Sequence, residues 1–413
     1  MSAARPGTFR SLRHANYRLW AGGALVSNIG TWVQRTAQDW LVLTVLTHHS
    51  ASAVGVVMAL QFAPQLLLLP WTGSAADHLD QRKLLVATQT AMGVLALMLG
   101  ALTVSGAVRL WQVDVFALLF GCAAAFDAPV RQTFVAQLVG DEDLHNAVSL
   151  NSMSFNIGNL IGPAVSGILI AAIGTGWAFV VDGASFLAVL GSLLMLERTR
   201  LLSSARAERT RGSFVQGLRY VRGRPDLVAI LLMLFLIGTF ALNFPIFISV
   251  MAVRVFHADA RGYGMLSSIM AVGTVVGAVL SARRDRSGFT TLLWSAALLG
   301  VGFTLAALAP GYWTFAAALI VVGVAYMTFV TATNGLMQLS TEPAMRGRVM
   351  ALRVAVALGG TPIGAPTVGW IADRFGPRWA LGVGALSGFA AAAVAISAVR
   401  TRARHRGTVC ATP

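Results

Sequence analysis

The sequence predicts an all-α membrane protein of twelve transmembrane helices in two six-helix halves, and three observations lead there. Of 413 residues, 56% are hydrophobic and only 11% charged, whereas soluble domains carry about 25% charged residues. Stretches of the roughly 20 apolar residues that cross a ~30 Å hydrocarbon core recur from end to end, and mean hydropathy is +0.71. One long basic segment, Glu197 to Asp226, splits the series into six and six.

The spans fall at 17–46, 51–76, 84–106, 109–127, 144–173 and 175–196, then at 226–252, 262–282, 289–309, 312–335, 347–371 and 379–399. The short links between spans 3 and 4, 5 and 6, and 9 and 10 are also compatible with re-entrant pairs. The resulting domains are a first half, 1–196, a cytoplasmic linker, 197–225, a second half, 226–399, and a tail, 400–413.

A net charge of +15 and a pI near 11.4 would suggest nucleic acid in a soluble protein. The distribution excludes that partner. With a cytoplasmic N-terminus, twenty-five Lys and Arg residues fall inside and five, Arg109, Arg254, Arg261, Arg374 and Arg378, outside; Arg35 lies within span 1. This positive-inside bias predicts that both termini are cytoplasmic in a bacterial inner membrane. The basic first 18 residues have no separate apolar core, so span 1 itself is expected to start insertion. Cys122, in a span, and Cys410, in the tail, exclude a disulfide framework.

Within the linker, Phe214, Leu218 and Val221 share one helical face and Arg219 and Arg222 lie elsewhere. Both a short helix on the cytoplasmic leaflet and a solvated basic linker fit that pattern. Ile161, Gly162, Gly167, Gly174, Trp177 and Ala178 recur 202 residues later as Ile363, Gly364, Gly369, Gly376, Trp379 and Ala380. Two halves repeated in the same orientation are the arrangement of the major facilitator transporters.

Three motifs extend that resemblance. Gly73-Ser74-Ala75-Ala76-Asp77-His78-Leu79-Asp80-Gln81-Arg82-Lys83 resembles major facilitator motif A, with His78 in place of a basic residue and Asp80 in place of a glycine. In that pattern Gly73 permits close helix approach, Asp77 can meet a helix N-terminus, and Arg82 with Lys83 hold the turn in the cytosol. By the same resemblance Asp127 and Arg131, an i, i+4 pair, could join Asp77 in a conformational lock; a plain salt bridge is the alternative. A closer copy, Gly369 to Arg378, falls on the outer face and is expected to be a polar turn.

Gly158-Asn159-Leu160-Ile161-Gly162-Pro163-Ala164-Val165-Ser166-Gly167 looks like motif C of the proton-coupled drug antiporters. Gly158, Gly162 and Ser166 would admit a neighbouring helix, Pro163 would bend span 5, and Gly167 completes the stripe. Together with Asn28-Ile29-Gly30-Thr31-Trp32-Val33-Gln34-Arg35 and Asn146 to Asn151, these segments resemble the major facilitator branch that includes the enterobactin exporter. That resemblance implies export of a small molecule against protons, with the lipid bilayer as surroundings, no cofactor and a monomeric carrier.

Candidate site residues follow from the cost of intramembrane charge, at least ~2.5–3.5 kcal/mol toward lipid. Asn28, Trp32, Arg35 and Asp39 fall on one face of span 1, and Arg35 and Asp39 are spaced to pair; they suit either proton coupling or helix packing. Further polar candidates for a substrate cavity are Gln61, Gln65, Asn156, Asn243 and Arg353, with Asp114 and Asp182 in the outer parts of spans 4 and 6 and Phe240, Phe244 and Met270 as apolar wall. Each is equally suited to a helix-to-helix hydrogen bond. There is no Gly-x-x-x-x-Gly-Lys-Ser/Thr signature and no His and Cys cluster spaced for a metal. Rings of like residues for a channel and convergent carboxylates for a membrane enzyme are likewise not visible. A metabolite importer of the same fold is the alternative within transport.

The topology predicts that a cysteine introduced at Ala207, in a background lacking Cys122 and Cys410, is shielded from an impermeant thiol reagent in intact spheroplasts and reacts after lysis. Labelling before lysis would invert the orientation.

Overall fold

The computed structural model describes residues 9–197, 213–283 and 288–409, all helix, turn or irregular backbone. Helices α1 (Ala15–Trp40), α2 (Ala51–Leu67), α3 (Leu69–His78), α4 (Gln81–Val104), α5 (Leu110–Val139), α6 (Asp141–Ile173) and α7 (Thr175–Met195) come first. After them come α8 (Ser213–Arg222), α9 (Pro225–Phe240), α10 (Phe244–Val250), α11 (Ala260–Ala282) and α12 (Phe289–Leu308), then α13 (Tyr312–Ser340), α14 (Arg346–Gly359), α15 (Thr361–Phe375) and α16 (Pro377–Val409). The arginine-rich linker stretch 198–212 and Cys410 lie outside the described residues.

Ten segments among the described residues are long and apolar enough to cross a bilayer, with α9–α10 and α14–α15 each counted as one interrupted crossing. The first two predicted spans complete the twelve. Helix α1, extended by a π-helical turn at Leu41–Leu46, is long enough but carries Arg18, Asn28, Gln34, Arg35, Gln38 and Asp39. The second span is divided between α2 and α3 at Leu68. The links after α4, α6 and α12 are short turns rather than re-entrant pairs, and α5 continues past Pro129 to Val139, twelve residues beyond the predicted end of span 4.

Packing divides the chain into two units. One comprises Met1–Leu46, Ala63–Glu208 and Asp259–Ser268; the other comprises Thr47–Phe62, Arg209–Ala258 and Ile269–Pro413. In the first, a core of Tyr17, Trp20, Leu85, Val130, Phe134, Val189 and Leu193 fills the space between α1, α4, α5 and α7. The buried Tyr17 hydroxyl donates to the Ala147 carbonyl at 2.8 Å, which satisfies a group that lipid could not. In the second, α12 crosses α16 where Gly300 meets Gly388; a Cβ at Gly388 would stand 2.6 Å from the Gly300 nitrogen.

Helix ends follow the local chemistry of the sequence. Asp80 has extended backbone, φ −62° and ψ 110°, and its carboxylate accepts from the Lys83 amide as the N-cap of α4; a glycine is therefore not needed there. Arg82 Nε and Nη2 donate to the Leu193 and Leu194 carbonyls at 2.8 and 3.1 Å, closing the C-terminal end of α7. Gly174 and Gly376, paired in the repeat, both take left-handed backbone with φ of 89° and 104° and join α6 to α7 and α15 to α16. Trp177 and Trp379 follow each turn and are exposed, as are Trp111 and Trp313 at the starts of α5 and α13, the placement of an interfacial aromatic belt.

Helix α8 corresponds to the predicted amphipathic segment. Val221 is buried, Arg219 and Arg222 are exposed, and a Cβ at Gly217 would lie 3.2 Å from Cβ of Arg348 on α14. Its buried face is therefore turned to protein. The side chain of Phe214 lies outside the described residues.

The N-terminal arm is fixed to the start of α6. Asp143, almost wholly buried, receives Arg10 Nε at 2.9 Å, Arg13 Nη2 at 2.8 Å and His14 Nε2 at 2.7 Å. The Ser11 amide and hydroxyl both donate to Asn146 Oδ1, at 3.0 and 2.7 Å. Replacing Asp143 by Ala leaves that arm without its anion. Loss of about 1 kcal/mol of docking raises the open fraction roughly fivefold, so trypsin should cleave after Arg10 and Arg13 several-fold faster, measured by limited proteolysis of the purified protein; an unchanged rate refutes the anchoring role.

Candidate functional site

Small residues on α6 bring α1 close enough for its polar face to be organised. A Cβ at Gly158 would sit 2.9 Å from the Asn28 carbonyl, and one at Gly162 would overlap Trp32 Cβ. One turn further, the Ser166 hydroxyl donates to the Val33 carbonyl at 2.9 Å, so serine at this motif position adds a helix-to-helix bond. Gly167 faces the first turn of α11, where a Cβ would be 2.5 Å from the Ala260 carbonyl, and Pro163 packs by its carbonyl against Gly264. The repeat is matched in the second unit. Gly364 abuts Thr239 at the end of α9, and Gly369 abuts Ala51 in the first turn of α2, where a Cβ would stand 2.5 Å from the Ala51 carbonyl.

The face of α1 carries two polar groupings rather than one. In the first, Arg131 Nε donates to Asp127 Oδ2 at 3.1 Å, and Thr88 and Gln89 of α4 donate to Asp127 Oδ1 at 2.9 and 2.7 Å. Arg131 Nη1 reaches Asn28 Oδ1 at 3.3 Å, and Asn28 donates to Ser154 Oγ at 2.9 Å. Asp127 is buried, so this is not an exposed salt bridge of small value. The chain of bonds ties α1, α4, α5 and α6 together within one unit. The side chain of Asp77 and the surroundings of Gly73 lie outside what the structure describes.

The second grouping centres on Arg35. Its guanidinium carbon lies 5.2 Å from the Trp32 ring centroid, a cation–π distance, and Trp32 meets Phe155 edge-on at 5.6 Å. Arg35 interacts electrostatically with both Asp39 and Asp182. Asp39 is 6% exposed, and its Oδ2 accepts from the Tyr263 hydroxyl at 3.3 Å, while the Tyr263 ring stacks on Trp40. Asp182 on α7 is 0% exposed, faces Gly30 of α1, and accepts from Ser185 Oγ at a long 3.4 Å.

The other predicted cavity residues lie on several helices of the two units. Gln61 is buried with Nε2 unpartnered, and Gln65 is half-buried. Asn156 is exposed; Ser154, two residues earlier, faces α1, so Asn156 points elsewhere. In the second unit, Asn243 is buried at the break between α9 and α10 and donates to the Thr239 carbonyl at 2.8 Å. Arg353 Nη2 donates to the Val330 carbonyl at 3.2 Å. Phe244 stacks on Phe303 and meets Tyr326 edge-on at 5.2 Å, while Met270 is buried.

One residue escaped the sequence reading, and the role of another was larger than expected. Tyr263 gives no signal along the chain, because its partner Asp39 is 224 positions away. Asp373 was legible in the motif copy at 369–378, yet its role is larger than a polar turn. Its carboxylate accepts from the Ala51 and Ser52 amides at 2.8 and 2.9 Å and from the Ser50 and Ser52 hydroxyls at 3.0 and 2.6 Å. Arg254 Nη1 completes the set at 3.1 Å. Asp373 thus caps the N-terminus of α2 from α15, where an anion is favoured by the helix dipole. Among the described residues no group of His, Cys, Asp and Glu could hold a metal ion.

The chain is similar to known transporters. The sequence profile described as a transmembrane secretion effector matches residues 6–408. The staphyloferrin A transporter of Staphylococcus aureus (strain NCTC 8325 / PS 47) is 24% identical over 84% of this chain and 87% of its own. The multidrug efflux pump Tap of Mycolicibacterium fortuitum is 29% identical over 86% and 88%, and the enterobactin exporter EntS of Escherichia coli O1:K1 / APEC 26% over 80% and 79%. Among solved structures, a bacterial homolog of the human lysosomal transporter Spinster superposes with TM-score 0.76 at 16% identity, covering 97% of this chain and 98% of that one. The nucleoside transporter NupG gives 0.74 at 12% identity over 92% and 98%. The chain is a multi-pass membrane transporter of the major facilitator superfamily and belongs to its transmembrane secretion effector family, in the exporter branch.

Proposed function

We propose that the chain is a proton-coupled exporter of a small molecule, of the drug, siderophore or secondary-metabolite class, across the bacterial inner membrane. In this proposal it acts as a monomer with both termini in the cytoplasm, and residues 1–196 and 226–399 are its two halves. The observation that carries the proposal is the buried cluster of Arg35 and Asp39 near the C-terminal end of α1 with Tyr263 of α11. The exporter-type names of the relatives support its direction.

A carboxylate in that setting has two pulls on it. Burial favours the neutral acid, whereas Arg35 and the Tyr263 hydroxyl favour the anion. A cationic or hydrogen-bonding substrate entering beside Trp32 and Asn28 competes with the proton, which is the elementary condition for antiport. Gln61, Gln65, Asn156, Asn243 and Arg353 are the polar side chains assigned to the rest of its path. One proton entering down ~100 mV releases ~2.3 kcal/mol, sufficient for a roughly 50-fold outward gradient of a neutral substrate at ~1.4 kcal/mol per tenfold. One coupling carboxylate is energetically adequate.

Gating falls to the glycine contacts and the polar clamps. Gly158, Gly162, Pro163 and Gly167 set the approach of α1 and the first turn of α11 to α6. Gly73, Asp77 and Arg82, with the Asp127–Arg131 pair, belong to the inner ends, and the Asp373 cap on α2 to the outer ends.

Two tests follow. Gly162→Leu forces a branched side chain into Trp32 and should reduce transport at least tenfold while the protein remains folded by gel filtration; normal transport removes the gating role of this stripe. Asp39→Asn should abolish uphill, uncoupler-sensitive accumulation in everted vesicles, measured with a substrate first found by screening a deletion strain against drugs and siderophores. Undiminished proton-driven export by that variant assigns coupling elsewhere.

A further inference from the structure

Asp39 shares its guanidinium with a second carboxylate. Asp182 lies on α7, is 0% exposed, and has no hydrogen-bond partner on Oδ2. Gly30 makes room for it, since a Cβ there would stand 2.7 Å from Asp182 Oδ1. Two buried carboxylates therefore face one cation.

Among the described residues, Arg35 is the cation that interacts with Asp39 and Asp182; on α5, Arg131 is bonded to Asp127 and Asp114 is half-buried. On α1, the charged groups facing this region are Arg35 and Asp39, with His14 and Arg18 at the far end of the helix. Helix α4, which packs along α7, has no acidic or basic residue from Leu84 to Val104. The acids and histidine of α6, Asp141, Glu142, Asp143 and His145, stand in its first turns, remote from Gly30. The first turns of α11 contribute Tyr263, which bonds Asp39, and Arg261, which is exposed.

An isolated carboxylate buried without compensation would cost tens of kcal/mol by ion solvation, so such a group takes up a proton instead. When two carboxylates share a site, one is left neutral. The partners decide which. Asp39 has Arg35 one turn away and a tyrosine hydroxyl donating to it, whereas Asp182 has a serine at 3.4 Å and one bare oxygen. A neutral acid with an unmade hydrogen bond costs only ~1–3 kcal/mol.

We infer that Asp182 is a second proton site of the transporter, neutral in this conformation while Asp39 is ionised against Arg35. The inference rests on the proton-coupled reading above and deepens it. When a substrate engages Asp39, Arg35 is released to turn toward Asp182; the O–H bond of the Asp182 acid breaks, the proton passes to water, and the new carboxylate pairs with Arg35. The cluster retains one net negative-to-positive pairing throughout, so exchange never leaves two buried anions on one cation.

The test needs no substrate. Purified full-length protein in lipid nanodiscs is titrated by infrared difference spectroscopy, which reads the carbonyl stretch of a protonated carboxylic acid. The wild type should show one such band at neutral pH from a buried acid. Asp182→Asn, which mimics the neutral acid and should fold, is expected to lose it. Asp182→Glu should move the band to the glutamic position, and Asp39→Glu should leave it unmoved. The absence of a band in the wild type, its persistence in Asp182→Asn or its displacement in Asp39→Glu overturns the inference. Because the spectra do not depend on export, failure of the coupling reading shows separately, as unaltered uphill transport in Asp39→Asn vesicles.

Discussion

The close approach of α1 to α6 and α7 is the constraint on which the charged site depends. Apolar lipid gives no hydrophobic reason for two helices to associate, so contact is set by packing and by hydrogen bonds between them. Along α6 the stripe Gly158, Gly162 and Ser166 receives Asn28, Trp32 and Val33. Along α7, Ala188 and Ser192 face Gly23 while Asp182 and Ser185 face Gly30. With α1 fixed on both sides, Arg35 interacts with both Asp39 and Asp182. A side chain at position 30 or 162 would push that helix outward and separate the charges.

The internal repeat explains why the two units resemble each other in scaffold and differ in chemistry. Gly162 and Gly364 each receive a neighbouring helix, Gly167 and Gly369 each receive the first turn of another, and Gly174 and Gly376 make the same left-handed turn. These are backbone requirements, and backbone geometry is what a duplicated fold preserves. Polar function has diverged. Helix α9 has no charged residue from Leu227 to Phe240, whereas α1 has an arginine and an aspartate in its C-terminal half; Asp373 caps α2, whereas the residue at the corresponding offset on α6 is Ala171. One unit thus carries the buried ion cluster and the other the helix cap.

Polar networks in the first unit divide labour by their completeness. Both oxygens of Asp127 accept, from Arg131, Thr88 and Gln89, and a buried carboxylate satisfied in this way helps to rigidify its surroundings. It joins four helices into a block. The Arg35 grouping is incomplete, since Asp182 retains a bare oxygen and the charges do not balance. Incompleteness is what allows a proton to matter there.

How much of this was legible beforehand follows the range of each interaction. Span number and the glycine stripes were written in local patterns, because spanning lipid requires about 20 apolar residues in succession and close helix contact requires small side chains at steps of four. The i, i+4 pairing of Asp127 with Arg131 was legible for the same reason. A helical face alone, however, could not tell that Asn28 turns to Arg131 while Arg35 and Asp39 form a separate group, since both directions lie on one side of α1. Nor could it tell that Asn156 would point away from α1 or that Asp373 would bond the first residues of α2. The sequence by itself determined a membrane protein built of paired helical repeats, because hydropathy and steric size act over a few neighbouring residues. Only the tertiary structure decided that Asp182 shares the charge of Arg35 and that Tyr263 bonds Asp39, because electrostatic partnership in a low-dielectric interior depends on distance in space, and each of these groups is more than 140 positions along the chain from its partner.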